Sequence, residues 1–228
     1  MNSTFISVVL RNIYKSKTLS QDSVFVMLRV LVNKVLHLFE VRTIKTNENV
    51  VYLTFDDGPE PGIVEFILDE LAKYNFKATF FCRGDNAEKY LVLFHEVRKL
   101  GHSIGNHTYS HLSGITSSSH DFINDVKKAN AILNASLFRP PRGFLRLRAY
   151  LYIVFILKMR VVHWSLSSND YDLDNFNLED AILNLQQKTK PGDIVLFHSC
   201  GRHAVETKKL LPVYLNWLKE HKYKSYSL

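Results

Sequence analysis

Only two cysteines, Cys82 and Cys200, occur in the 228 residues, one in each half of the chain. Two thiols so placed make no disulfide framework, and a domain of this length buries enough apolar surface to stand without one. An uninterrupted apolar run is also missing. FISVVL (5–10) is too short for a signal-peptide core, and it precedes the basic residues Arg11, Lys15 and Lys17 where a leader would place its charges first. The expectation is no cleavable leader, which favours a cytoplasmic or membrane-surface location. VFVMLRVLVNKVLHLF (24–39) is more apolar, but Arg29, Asn33, His37 and Glu40 recur at helical spacing as one polar stripe. A span needs roughly 20 apolar residues with few charges, so this stretch reads as an amphipathic helix. Its apolar face either packs on the domain or makes a peripheral membrane contact beside the upstream basic residues. Internal repeats and low-complexity tracts are lacking too, apart from SSS at 117–119. Acids are outnumbered: 22 Asp and Glu against 29 Lys and Arg give a net charge of +7. That favours anionic surroundings without selecting among them, and no nucleic-acid motif accompanies the charge.

What is present is a globular composition, 46% hydrophobic and 22% charged, with alternating strand and helix patterns from residue 50 onward. Strands are expected at VVYLTF (50–55), KATFFC (77–82), SIGNH (103–107), LFR (137–139), RVVHWS (160–165), DIVLFH (193–198) and the terminal YKSYSL. Helices are expected over 62–75, 86–100, 119–134, 144–158, 178–188 and 204–221. Seven strands alternating with helices indicate a parallel β/α architecture. Residues 1–45 then form an N-terminal extension and residues 46–228 the main domain.

In such a barrel the carboxyl ends of the strands share one face, and sites are built there. Asp56 and Asp57 end the first strand, His107 the third with His111 four residues on, and Arg139 the fourth. Trp164 and Ser165 end the fifth, Asp170 follows in its loop, and His198 ends the sixth. His107 and His111 fall on one side of a helical or turn segment, as two metal ligands require. No Glu follows His107, so this is not the HExxH zinc motif. A third ligand must be Asp57 or Asp56. Two histidines and one carboxylate leave coordination open, which suits one catalytic divalent metal, zinc first, with cobalt, manganese, iron or nickel compatible.

TFDDGP (54–59), HTYSH (107–111), RPPRG (139–143), the W-S-x-x-x-x-D stretch (164–170) and LFH (196–198) resemble, in order, the five motifs of the polysaccharide deacetylases. These are the NodB-homology or carbohydrate esterase family 4 domains, and the similarity spans about residues 50–228. The resemblance implies a distorted parallel (β/α)7 barrel. It also implies metal-dependent removal of acetyl groups from N-acetylated carbohydrate, N-acetylglucosamine-type units of a glycan. By that resemblance Asp57, His107 and His111 are the metal ligands, and Asp56 is the base acting on metal-activated water. His198 is the acid that protonates the leaving amine. Leu196 is the wall for the acetyl methyl, Arg139 orients the base, and Asp170 tunes the acid. Arg142 and Trp164 fall on the substrate side.

The chain departs from the family pattern at three places. Arg142 replaces a usual tyrosine, at a position whose backbone N–H in the family helps stabilise the oxyanion. Asp170-Tyr171 stands for Asp-Trp, with Asp172 as an alternative alignment. Ser199 and Cys200 follow His198 where Asp is common. Arg139, Arg142, Arg146 and Arg148 come with no acid between residues 138 and 169. They suit either an anionic glycan or a solvated helix face. Cys82 and Cys200 read as buried small hydrophobes. Two further classes stay open, a same-scaffold amidohydrolase or esterase on a non-polymeric substrate and a catalytically silent glycan-binding module.

Overall fold

The computed structural model describes residues 40–228. The 24–39 helix, with the membrane contact attached to it, lies outside the described residues. Among the described residues no helix is long and apolar enough to cross a membrane.

Strand β1 (Val50–Asp56) is the hub. It pairs in parallel with β2 (Ala78–Cys82) on one side and β7 (Ile194–His198) on the other. The sheet continues from β2 through β3 (Ser103–Asn106) and β4 (Leu137–Phe138) to β5 (Arg160–Val161), and from β7 to β6 (Leu166–Ser167). A short β8 (Lys224–Ser225) pairs with the start of β1. The fold is the distorted parallel (β/α)7 barrel. Its helices are α1 (Val64–Lys73), α2 (Gly84–Lys89), α3 (Leu91–Lys99), α4 (Ser119–Leu133), α5 (Leu147–Leu151), α6 (Leu178–Lys188) and α7 (Ala204–Glu220). Local chemistry sets several ends. The Ser118 side chain accepts from Asp121 N–H to start α4, and the Asn177 side chain accepts from Asp180 N–H to start α6. Asn134 closes α4 in the left-handed region at φ 40°.

Side-chain alternation divides two cores. Leu53, Phe55, Val195 and Phe197 join the layer under the helices, where the Phe55 ring lies 5.1 Å from Phe80 and 5.7 Å from Phe197. Phe81, Leu137, Val162 and Ile194 form a smaller cluster. Gly105 makes room for it, since a Cβ there would lie 2.3 Å from the Phe81 ring. Register matters most at the rim: Thr54 sits opposite Leu196, and Asp56 opposite His198.

The structure revises several expectations. The seven strands of the barrel include β6 and leave the terminal strand off the main path. RVVHWS is not one strand. Its first part bonds to β4, with Val162 N–H on Phe138 O, and Ser165 N–H then bonds to Ile194 O of β7. Residues 163–164 cross the seam, so Trp164 and Ser165 do not end a strand. The 86–100 helix breaks at Tyr90 (φ −117°, ψ 51°), and the 144–158 helix is only α5 plus a π turn over Tyr152–Ile156. Residues 41–44 help close the seam. Val41 N–H bonds to Val161 O, His163 N–H to Val41 O, and Ile44 N–H to Gly192 O. The barrel's bonded chain therefore begins before the boundary drawn at residue 46.

Candidate active site

Asp56, at the carboxyl end of β1, is 3% exposed. Arg139 is fully buried, and its Nη1 donates to Asp56 Oδ1 at 2.8 Å and to Thr54 Oγ1 at 2.8 Å. Its Nη2 donates to His163 O at 2.8 Å, and its guanidinium lies 4.1 Å from the Phe81 ring centroid. A buried charge held by this many acceptors has one orientation. Burial raises the Asp56 pKa above the ordinary carboxylate range, against the opposing pull of Arg139 and then His198. The Asp56 carbonyl accepts from Ser199 N–H at 2.7 Å and from Ser199 Oγ at 3.0 Å, which ties the first motif to the last. Gly58 fits beneath Ser199 because a Cβ would lie 2.5 Å from that hydroxyl oxygen.

Asp57, with φ 74°, turns away from the strand. Its carbonyl accepts from Asn86 Nδ2 at 2.8 Å, and Arg83 N–H bonds to Gly58 O at 2.9 Å. His107 and His111 do not ride a helix. Thr108 (φ 66°) and His111 (φ 59°) are left-handed, so the segment is a tight loop. Asp125 of α4 holds it by accepting from the N–H groups of Tyr109 and Ser110 and from the Ser110 hydroxyl. His107 Nδ1 lies 2.8 Å from Arg139 O. A carbonyl only accepts, so Nδ1 carries the proton and the Nε2 lone pair is free. That lone pair faces Asp57 Oδ1 at 3.5 Å, and His111 Nε2 faces the same oxygen at 3.2 Å. Burial, opposed in part by Asp57, pushes the His107 pKa down to about 3, which keeps the ring neutral. Asp57 Oδ1 is buried without a hydrogen-bond partner among the described residues. Acceptors converging within 4.8 Å with nothing to accept from fit a divalent cation.

His198 ends β7. Its Nδ1 lies 2.7 Å from Asp170 Oδ1, its backbone N–H donates to Asp170 Oδ2 at 2.8 Å, and the Thr207 hydroxyl donates to Asp170 Oδ2 at 3.0 Å. Burial pulls the His198 pKa down, but Asp170, through its charge and hydrogen bond, and then Asp56 and Asp57 outweigh it, and the value is raised to about 9. Burial pushes Asp170 up, and His198 and Thr207 reverse this, so the carboxylate is held below its usual range. Asp170, not Asp172, is the residue placed behind the histidine.

These groups open on a cavity of about 460 Å³ lined by Asp56, Asp57, His107, His111, Arg142, Trp164, Tyr171, Leu196, His198, Arg202 and His203. Every candidate residue lines it except Arg139 and Asp170, which stand behind the lining. The four arginines separate. Arg139 is internal, Arg142 (φ 60°) faces the cavity, Arg146 Nη2 donates to Ile115 O at 2.6 Å, and Arg148 is exposed on α5. Sequence reasoning missed Arg202, His203 and Thr207. The first two follow His198 in the loop after a rim strand, a position that could have marked them; Thr207 looks like any helix residue. Cys82 is a core residue, 1% exposed. Cys200 is buried as well, yet its Sγ lies 3.8 Å from Asp57 Oδ2.

A family model described as polysaccharide deacetylase matches residues 43–153. A peptidoglycan-N-acetylglucosamine deacetylase of Bacillus cereus is 33% identical over 186 residues, 79% of this chain and 87% of that protein. A chitooligosaccharide deacetylase of Azorhizobium caulinodans is 28% identical over 168 residues, 71% of this chain and 79% of that protein. The crystal structure of a peptidoglycan N-acetylglucosamine deacetylase in complex with 4-naphthalen-1-yl-N-oxidanyl-benzamide matches with a TM-score of 0.76 at 31% identity. It covers 83% of this chain and 91% of that one.

Proposed function

The chain belongs to the polysaccharide deacetylase family and is a hydrolase of carbon–nitrogen bonds, and we propose that the bond it cuts is the acetamide of N-acetylated carbohydrate. The substrate units are of the N-acetylglucosamine type within a glycan, and the products are acetate and a free amine. One observation carries this reading: Asp56 and His198 stand in register on neighbouring strands, over one cavity that also holds Asp57, His107 and His111.

A divalent cation held by Asp57, His107 and His111, zinc in first place, would supply Lewis acidity that makes water more acidic and polarises an acetyl carbonyl. Asp56 accepts the proton of the attacking water, and Arg139 aims its carboxylate and opposes the burial that raises its pKa. Leu196, two residues before His198 on the same strand, walls the acetyl methyl. The Arg142 backbone N–H is the donor assigned to the developing oxyanion, and its side chain is free to differ from the family's tyrosine. An amine leaves poorly as an anion, so His198 gives its Nε2 proton to the departing nitrogen while Asp170 keeps the proton on Nδ1. Trp164 and Tyr171 offer aromatic walls to a sugar ring. Arg142 and Arg202 on the lining favour a glycan with an anionic group near the acetamide.

The test is acetate release from a panel of N-acetylated glycans, with and without added metal. Release that depends on metal supports the reading. Full activity in a preparation shown to be metal-free by elemental analysis would overturn it, as would failure on every glycan offered.

A further inference from the structure

The loop after β7 carries a second set of ligand-type side chains that deacetylation does not use. Cys200, His203 and Asp57 present donor atoms within 4.8 Å of one another. Cys200 Sγ faces Asp57 Oδ2, whereas His107 and His111 face Oδ1. The two oxygens of one carboxylate thus look toward two different donor groups. His203 is 5% exposed, and its Nδ1 is buried without a hydrogen-bond partner among the described residues. An unpaired buried polar atom is costly, and most such atoms have a partner. The 3₁₀ turn Gly201–His203 brings the imidazole back toward the sulfur, with His203 N–H bonded to Cys200 O at 3.1 Å. Glu60 holds that turn, its Oε2 accepting from Gly201 N–H at 2.6 Å.

We propose that Cys200, His203 and Asp57 form a cation position of their own for a thiophilic divalent ion of the zinc type, adjacent to the His107–His111 position and sharing Asp57 with it. Sulfur, imidazole and carboxylate donors suit zinc or cobalt, whereas magnesium and calcium take oxygen ligands. Three protein ligands leave a fourth place open. Paired-cation hydrolases hold their ions roughly 3.5–4 Å apart, a spacing that a shared carboxylate can span. An ion here would also bring positive charge beside His198, whose ring centroid is 4.9 Å from that of His203.

Cobalt(II) titration of the full, metal-depleted chain tests this, read by absorption and by bound metal after dialysis. A near-ultraviolet thiolate-to-cobalt charge-transfer band is expected, because the His107–His111 position contains no sulfur. Cys200→Ser should abolish the band and lower bound cobalt by one equivalent. His203→Gln should weaken the same equivalent, and circular dichroism of both variants checks that they are folded. Cys82→Ala should leave the band, as should His107→Ala. Absence of the band at saturating cobalt, or its survival in Cys200→Ser, overturns the proposal. A single bound ion whose band survives His107→Ala would uphold the Cys200 position while overturning the ligand set assigned to deacetylation, so the two readings fail separately.

Discussion

The two ends of the cavity are finished to different degrees. At the acid end both carboxylate oxygens of Asp170 have a donor: His198 supplies its Nδ1–H and backbone N–H, and Thr207 its hydroxyl. At the ligand end Asp57 Oδ1 has none among the described residues, and two imidazole nitrogens crowd it instead. The backbones differ likewise. His198 sits on a regular strand, whereas Asp57, Thr108 and His111 all have positive φ without being glycine. Such residues cost about 1–3 kcal/mol each and persist where the surroundings over-determine them. The acid end is complete as a protein structure. On the proposed reading a cation would complete the ligand end, so the two should respond differently when metal is withheld.

The largest effects belong to the ligand end. His107→Ala or His111→Ala should empty the position those histidines form, lowering bound metal by one equivalent, and abolish turnover, and restoring metal to the wild type should raise its melting temperature. Elemental analysis and thermal scans check both outcomes. Asp56→Asn separates chemistry from binding. It should keep the metal and lose turnover, because an amide cannot take up the water's proton, whereas Asp57→Asn should lose metal first. Equal metal loss in the two aspartate variants would show that the carboxylates share one role and would erase the difference between the ends.

At the acid end, His198→Ala should leave metal content unchanged and cut the rate on an acetamide by roughly 10²–10⁴-fold, the span of a positioned acid. The loss should be smaller on an activated acetyl ester, whose leaving group needs no proton. Identical losses on both substrates, measured as kcat/KM, would make His198 a structural residue.

How much of this was legible in the sequence follows the same division. Asp56, Asp57 and His198 are legible on the rim because β1 and β7 are dense apolar runs whose ends can be read locally, whereas β3 is only Ser-Ile-Gly-Asn and His107 is marked instead by its spacing to His111. The seam was not legible. RVVHWS is uniformly strand-like, and its break depends on which neighbour accepts each N–H, Phe138 O for Val162 or Ile194 O for Ser165. Four arginines look alike in sequence, but only Arg139 finds a buried carboxylate. Asp125 and Thr207 resemble solvent-facing helix residues, and nothing nearby in sequence says that they fix the histidine loop and the acid's partner. The Asp57–Cys200 approach needs the first and last barrel strands to be neighbours, which no local pattern encodes.

The smallest expected effect probes how the acid end holds its proton. The wild-type rate should follow a bell in pH, rising as Asp56 ionises and falling as His198 loses its proton, with both limbs belonging to the coupled site. The alkaline limb should lie above the ordinary histidine range, because Asp170 first and then Asp56 and Asp57 raise the His198 pKa. Asp170→Asn removes the largest of the influences that raise the His198 pKa, so this limb should move to lower pH. The rate deficit of the variant should then be modest in mild acid and grow as pH rises. Stability follows by linkage. The His198 pKa is raised in the fold, so its contribution is fully present below the unfolded value of about 6.5 and is lost as pH climbs through about 9. The Asp170 pKa is depressed, so its contribution is present above the ordinary carboxylate range and is lost as pH falls through the lowered value. The gap in melting temperature between wild type and Asp170→Asn should therefore be widest in mildly acidic buffer and close at both extremes. An alkaline limb that does not move in Asp170→Asn would mean that Asp56 and Asp57 hold the proton on His198, and the acid end would then depend on the ligand end after all.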